Sequence, residues 1–357
     1  MKKMQKLLTV LAVFAFLLGV FGSCTKEGPM GPQGDPGTDG VDGINGVDGV
    51  DGNSTCSTCH NENTDLFSIQ AQWAASTHGT GANFERNGVD CARCHTSQGF
   101  VEMLETGAVA DPISNPATIN CRTCHNIHTN YDETDFALRT STPVTFIMNG
   151  ETSADLGSGN LCVNCHQPRA VSPMPVSGTT GTLNITSSRF GGHYGVMSVL
   201  YNGTGGYEIA GSETYASTNH KGYVEDGCVT CHKAEAYGAQ AGGHTFKMGY
   251  EYHEELVPNM AACTSCHEGE ESFDINGRQT EIAALLVELE TELIGLGWIL
   301  ADGSVVAGSS SPLVLTHDQA GVLLNYRLIH YDRSNGVHNY KYIKALLQNS
   351  IDAAQGW

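Results

Sequence analysis

The sequence predicts a mainly α fold with much irregular loop and a C-terminal helical unit, on three observations. Helical apolar spacing is confined to the last third of the chain, most clearly at Ile282, Leu285, Leu286, Leu289, Leu293 and Leu296. Residues 53–275 are rich in Gly, Thr, Ser and Asn, with scarce apolar periodicity, so they supply little core of their own. Twelve of the 13 cysteines fall in six copies of one pentapeptide.

The six copies all lie within residues 53–275. They are CSTCH (Cys56, Cys59, His60), CARCH (Cys91, Cys94, His95), CRTCH (Cys121, Cys124, His125), CVNCH (Cys162, Cys165, His166), CVTCH (Cys228, Cys231, His232) and CTSCH (Cys263, Cys266, His267). Chance at this composition gives roughly 0.02 such matches. Two cysteines at this spacing reach both vinyl groups of one porphyrin and form thioethers; the next residue, His, then becomes the proximal ligand of the iron. Zinc ribbons also use CxxC pairs but do not require His after each second Cys. A disulfide framework would not repeat one spacing six times. The cofactor complement expected is therefore six haem c, the domain being packed around stacked haems. The first cysteines are 35, 30, 41, 66 and 35 residues apart, so no regular sequence repeat underlies them.

The N-terminus sets the compartment. Lys2, Lys3 and Lys6 precede an apolar run from Leu7 to Phe21, then Gly22-Ser23 and the odd cysteine, Cys24. Residues 1–23 read as a secretory signal peptide and Cys24 as the lipidated cysteine of a bacterial lipoprotein. Phe21 stands where such signals usually carry Leu, and ordinary cleavage near Ser23 is the rival. Cys24 otherwise has no partner in an oxidising compartment. The expected location is extracytoplasmic and lipid-anchored, at the outer membrane or cell surface in preference to the periplasm.

Within 24–52, glycine occupies every third position from Gly28 to Gly52, a collagen-like Gly-X-Y run. It holds only three prolines and five aspartates with no basic residue. Three such strands side by side would crowd Asp against Asp. An extended spacer, roughly 75 Å long if polyproline-like, and a short trimerising stalk are both open.

Formal charge is −20, and loss of three lysines and no acids with residues 1–23 takes it to −23. Nucleic acid is excluded as a partner on this balance. Redox partner proteins or extracellular electron acceptors are expected instead, with a homo-oligomer through the stalk or the haem domain possible.

Nine histidines remain beyond the six proximal ones, and six bis-histidine irons need six. His78 follows a short helical stretch. His128 lies three residues after His125, off its own haem and toward a neighbouring one. His193 and His244 follow glycine pairs that let backbone approach a flat ring. His220 precedes Cys228 by eight residues, and His338 opens the last helix. These six are the expected distal ligands; His253, His317 and His330 are left as surface residues or propionate partners. Helices are expected over 278–300, about 317–331 and about 338–353, in a unit of residues 276–357 that supplies one distal ligand.

The fragments TSSRFGGHYGVMSVLYNGTGGYE, AGGHTFKM and YDRSNGVHN resemble the superfamily of bacterial multihaem cytochromes. That superfamily includes pentahaem nitrite reductases, octahaem hydroxylamine oxidoreductases, octahaem tetrathionate reductases and electron-carrier relatives. The resemblance implies distal roles for His244 and His338. The nitrite and tetrathionate reductases characteristically use a lysine-ligated catalytic haem, whereas all six motifs here end in His. Extracytoplasmic electron transfer through six haems is the function this favours, with no catalytic residue. The alternative is a multihaem oxidoreductase acting on a small nitrogen or sulfur compound at one open haem.

Overall fold

The computed structural model describes residues 60, 64–81, 83–218 and 220–357. Cys24, the Gly-X-Y run, Cys56 and Cys59 lie outside the described residues. The described residues belong to one compact unit.

Short helices carry the haem-motif region. They are α1 (Thr64–Ala74), α2 (Val89–His95), α3 (Ser97–Thr106), α4 (Cys121–Cys124), α5 (Asn160–Val163), α6 (Met197–Asn202), α7 (His220–Tyr223) and α8 (Cys228–His232). Three long helices follow: α9 (Arg278–Gly295), α10 (His317–Asp332) and α11 (Tyr340–Ala354). Six short strands make three antiparallel pairs: β1 (Val144–Thr145) with β2 (Ser153–Ala154), β3 (Thr182–Ile185) with β6 (Leu313–Thr316), and β4 (Gly249–Tyr252) with β5 (Glu255–Pro258). No described helix is long and apolar enough to cross a membrane.

The long helices begin and end for identifiable reasons. Thr316 caps α10 through a reciprocal box: its hydroxyl accepts from the Gln319 N–H at 3.3 Å, and the Gln319 side chain accepts from the Thr316 N–H at 3.0 Å. Asn339 caps α11 by accepting from the Tyr342 N–H. Helix α9 stops at Gly295 rather than at residue 300, because Gly297 turns the chain at φ +75°. His338 lies just before the Asn339 cap rather than inside α11.

Helix α10 is buried on nearly every side, from Ala320 to Ile329, which marks a central helix rather than a surface one. Around it one apolar core joins Phe146, Ile185 and Leu200 to Ile282, Leu289, Leu323, Leu346 and Ile351. The C-terminal helices and the 144–201 segment therefore share a core, and the β3–β6 pairing, Thr182 opposite Thr316, bonds the same two regions. The second cluster, Phe100, Met103 and Leu161, is small. The large core reaches the fourth motif at Val163 and the fifth at Cys228.

Candidate haem sites

Each described motif forms a single helical turn. The His125 N–H donates to the Cys121 carbonyl at 2.9 Å, His166 to Cys162 at 2.9 Å and His267 to Cys263 at 2.8 Å. That turn puts both cysteines and the histidine on adjacent faces of one short segment. The ten described cysteines form no disulfide. Among the described residues, no group of three or more His, Cys, Asp or Glu is placed to hold a metal as a cluster.

The histidines instead stand in opposed pairs. Ring centroids are 6.3 Å apart for His60 and His128, 6.1 Å for His166 and His78, and 6.2 Å for His95 and His193. They are 6.3 Å apart for His125 and His244, 6.4 Å for His232 and His338, and 6.3 Å for His267 and His220. A metal–imidazole distance of about 2.0 Å, plus about 1.15 Å from nitrogen to ring centre, sets two trans ligands about 6.3 Å apart. Every motif histidine thus faces one of the six distal candidates, at the spacing of an axial pair. The donor set fits haem iron on that ground.

Local structure holds these rings. His78 follows α1, and the N–H of His244 donates to the Gln72 side chain of that helix at 3.0 Å. His128 and His193 adopt φ +61° and +70°, a left-handed backbone that costs a non-glycine residue energy and persists only where surroundings enforce it. For His128 the enforcement is Asp135, whose carboxylate accepts from the N–H groups of His128, Asn130 and Tyr131 at 2.7, 2.7 and 3.1 Å. The glycine before His193 and the one before His244 pack on protein atoms. A Cβ on Gly192 would stand 2.7 Å from Pro168, and one on Gly243 would stand 2.3 Å from Gln72.

The Nδ1 atoms of several paired rings are committed elsewhere, leaving Nε2 for the opposed side. His125 Nδ1 bonds the Phe136 carbonyl at 2.6 Å, His220 the Val337 carbonyl at 3.2 Å and His232 the Phe246 carbonyl at 3.0 Å. His338 Nδ1 meets the Asp332 carboxylate at 2.6 Å. Burial pushes His166, His193 and His244 down to about 4, so their imidazoles are neutral at physiological pH, the form that ligates metal. For His338 burial pushes down and the Asp332 carboxylate pushes up, with a net rise.

One continuous cavity of about 2820 Å³ is lined by five of the six pairs, those of the second to sixth motifs. The motifs touch one another along it. Cys94 Sγ lies 3.8 Å from the Asn164 carbonyl, and Cys165 Sγ lies 3.8 Å from the Arg93 carbonyl, so the second and fourth motifs are back to back. Cys124 of the third motif and Cys165 of the fourth pack on the same Phe100–Met103–Leu161 cluster. The Cys162 and Cys228 thiols are neighbours, and a Cβ on Gly159 would stand 3.1 Å from the Cys228 nitrogen, so the fourth and fifth motifs adjoin. The fourth motif therefore neighbours three others.

The three remaining histidines face no motif histidine. His317 Nδ1 accepts from the Val176 N–H at 3.0 Å, His330 packs on Tyr326 and Tyr331, and His253 sits in the β4–β5 turn against Tyr252. Sequence reasoning passed over Asp332, Phe246 and Asn339. Asn339 accepts from the Thr218 N–H at 2.9 Å and so ties the His220 segment to the His338 segment. Asp332 lay inside the YDRSNGVHN fragment, six residues before a ligand candidate, which was the available signal.

No family model matches the chain. The chain is 29% identical over 303 residues to the C-type polyheme cytochrome OmcB of Geobacter sulfurreducens, in two strains. The match covers 73% of this chain and 37% of that protein, so the chain spans little more than a third of the relative's length. Among solved structures, the outer cell wall cytochrome OcwA aligns with a TM-score of 0.47 and 21% identity, over 78% of this chain and 48% of that one. The repeated CxxCH motifs and the sequence likeness to OmcB together support a multihaem c-type cytochrome.

Proposed function

We propose that the chain carries six haems c, each closed by two histidines, and conducts electrons between redox partners outside the cytoplasm. The observation that carries this reading is the set of six opposed histidine pairs, all with ring separations between 6.1 and 6.4 Å. Haem iron supplies a reversible one-electron couple when bound. The twelve paired histidines would hold the six irons from both sides and leave no place for substrate, so electron exchange is the chemistry the bound groups would supply.

The cysteine contacts support a branched route. Cys94 beside the fourth motif, and Cys162 beside Cys228, would bring neighbouring haems close, because these cysteines would hold them by thioether bonds. The fourth site, between His166 and His78, is then a junction with arms toward the second, third and fifth sites. His128, three residues from His125, extends the third arm to the first site. His220, whose Nδ1 bonds the carbonyl beside His338, extends the fifth arm to the sixth. Three ends at the first, second and sixth sites can serve different donors and acceptors.

Cleavage before Cys24 and its acylation hold this domain to the outer membrane or cell surface, with residues 28–52 as the spacer. The partners are redox proteins or extracellular acceptors. Intact mass of protein matured in a host competent for haem attachment tests the stoichiometry: six additions of roughly 0.6 kDa each are expected, and five or fewer contradict the reading.

A further inference from the structure

Asp332 is placed where local stability disfavours a carboxylate. It is the last residue of α10, at the negative end of the helix dipole, where an anion is destabilising. Its side chain is 1% exposed, and burial of a charge is costly unless the charge is paired. No Lys or Arg among the described residues forms an ion pair with it. Its partners are His338 Nδ1 at 2.6 Å and a short hydrogen bond from the Ser334 hydroxyl. The next residue, Arg333, takes a left-handed backbone at φ +58° and turns the chain so that His338 returns over the carboxylate.

The other defined Nδ1 partners of paired histidines, Phe136, Val337 and Phe246, are neutral backbone carbonyls. A carboxylate differs in kind. It draws the Nδ1 proton toward itself, which makes Nε2 a stronger donor, and it leaves a full negative charge near the metal in a low-dielectric site. Both effects favour the ferric over the ferrous state.

We infer that Asp332 is a positioning and potential-setting residue: it holds the haem between His232 and His338 at a lower reduction potential than two carbonyl-anchored imidazoles would give. This rests on the bis-histidine reading above. The fifth site links the fourth-site junction to the sixth site, so the consequence is an uphill step on that arm alone. Electrons entering at the sixth site meet this step, whereas traffic between the first and second sites bypasses it.

The test is a spectroelectrochemical titration of the haem-loaded full chain and of Asp332→Asn, with electron paramagnetic resonance of the oxidised forms. In Asp332→Asn one sixth of the titration amplitude should move to easier reduction by at least tenfold, about 59 mV for a one-electron couple. The other five sixths should stay in place, and all irons should remain low-spin. A curve superimposable on the parent, with all irons low-spin, overturns the inference. If Asp332→Asn loses a ligand and shows a high-spin iron, Ser334→Ala decides. Removing that hydroxyl frees the carboxylate to act more strongly on His338, so one sixth of the amplitude should move to harder reduction; no movement overturns the inference. A high-spin iron already present in the parent protein would instead count against the bis-histidine reading.

Discussion

The ring of Phe246 stands edge-on to His78 at 5.2 Å and 73°. The same ring lies 6.0 Å from His244, and its backbone carbonyl takes the Nδ1 of His232. One residue thus touches ligand candidates of the third, fourth and fifth sites, at the junction of the proposed route. Its φ of +56° is a strained value for a side chain of this size, maintained by the packing on both sides.

Phe246→Ala removes both edge contacts while leaving every ligand in place. The expected outcome is a shift in the low-spin resonance signals of two of six irons, those of His166–His78 and His125–His244, because ring orientation governs low-spin anisotropy. An unchanged spectrum would show that the two rings are oriented without Phe246.

His244→Ala should open one iron. The two glycines before it and the Gln72 contact fix this backbone, and His244 is the distal candidate paired with His125. One of six irons should turn high-spin and bind carbon monoxide when reduced. His253→Ala, His317→Ala and His330→Ala should give no high-spin signal; a new one from any of the three would mean that the ligand set is wrongly drawn.

The C-terminal helices were legible in the sequence because apolar spacing is a local property. Helix α10 runs His317–Asp332 against an expected 317–331, and α9 starts at Arg278 as expected but ends five residues early at Gly295. The cysteine motifs were legible because their chemistry resides in one pentapeptide. The shared core of α10 with Phe146 and Leu200 was not legible, because long-range contacts leave no periodic trace. The same holds for Asp332, whose role follows from a turn at Arg333 that no propensity reveals. The glycine pairs before His193 and His244 were read as making room for a flat ring; on the protein side Gly192 faces Pro168 and Gly243 faces Gln72.

Asn325, fully buried in α10, tests the core. Its side chain accepts from the Tyr207 N–H at 2.7 Å and donates to the Tyr207 carbonyl at 2.8 Å and to Ser350 at 3.0 Å. Asn325→Leu strands the Tyr207 N–H, at about 1–3 kcal/mol, while the Tyr207 carbonyl keeps its bond from the Ile209 N–H at 2.9 Å. Denaturant unfolding should therefore show a loss of about 1–3 kcal/mol, with the visible spectrum of the folded protein unchanged. A loss below about 0.5 kcal/mol would place the network outside the stabilising core.

Cys24→Ala tests the anchor. Stable membrane attachment through lipid alone takes more than one acyl chain. The variant should lose acyl labelling and appear in the soluble fraction. Membrane partition equal to that of the parent would exclude the lipoprotein reading.

The bis-histidine account as a whole meets its most direct test in quantitative low-temperature electron paramagnetic resonance of the fully oxidised, haem-loaded protein. Six low-spin ferric irons per chain are expected, with no high-spin signal. The ring planes range from 21° for His60–His128 to 87° for His220–His267, so the signals should spread from rhombic to strongly anisotropic. A high-spin ferric iron in the unmutated protein, at one per chain, would contradict the account and place an open, substrate-accessible haem in this fold.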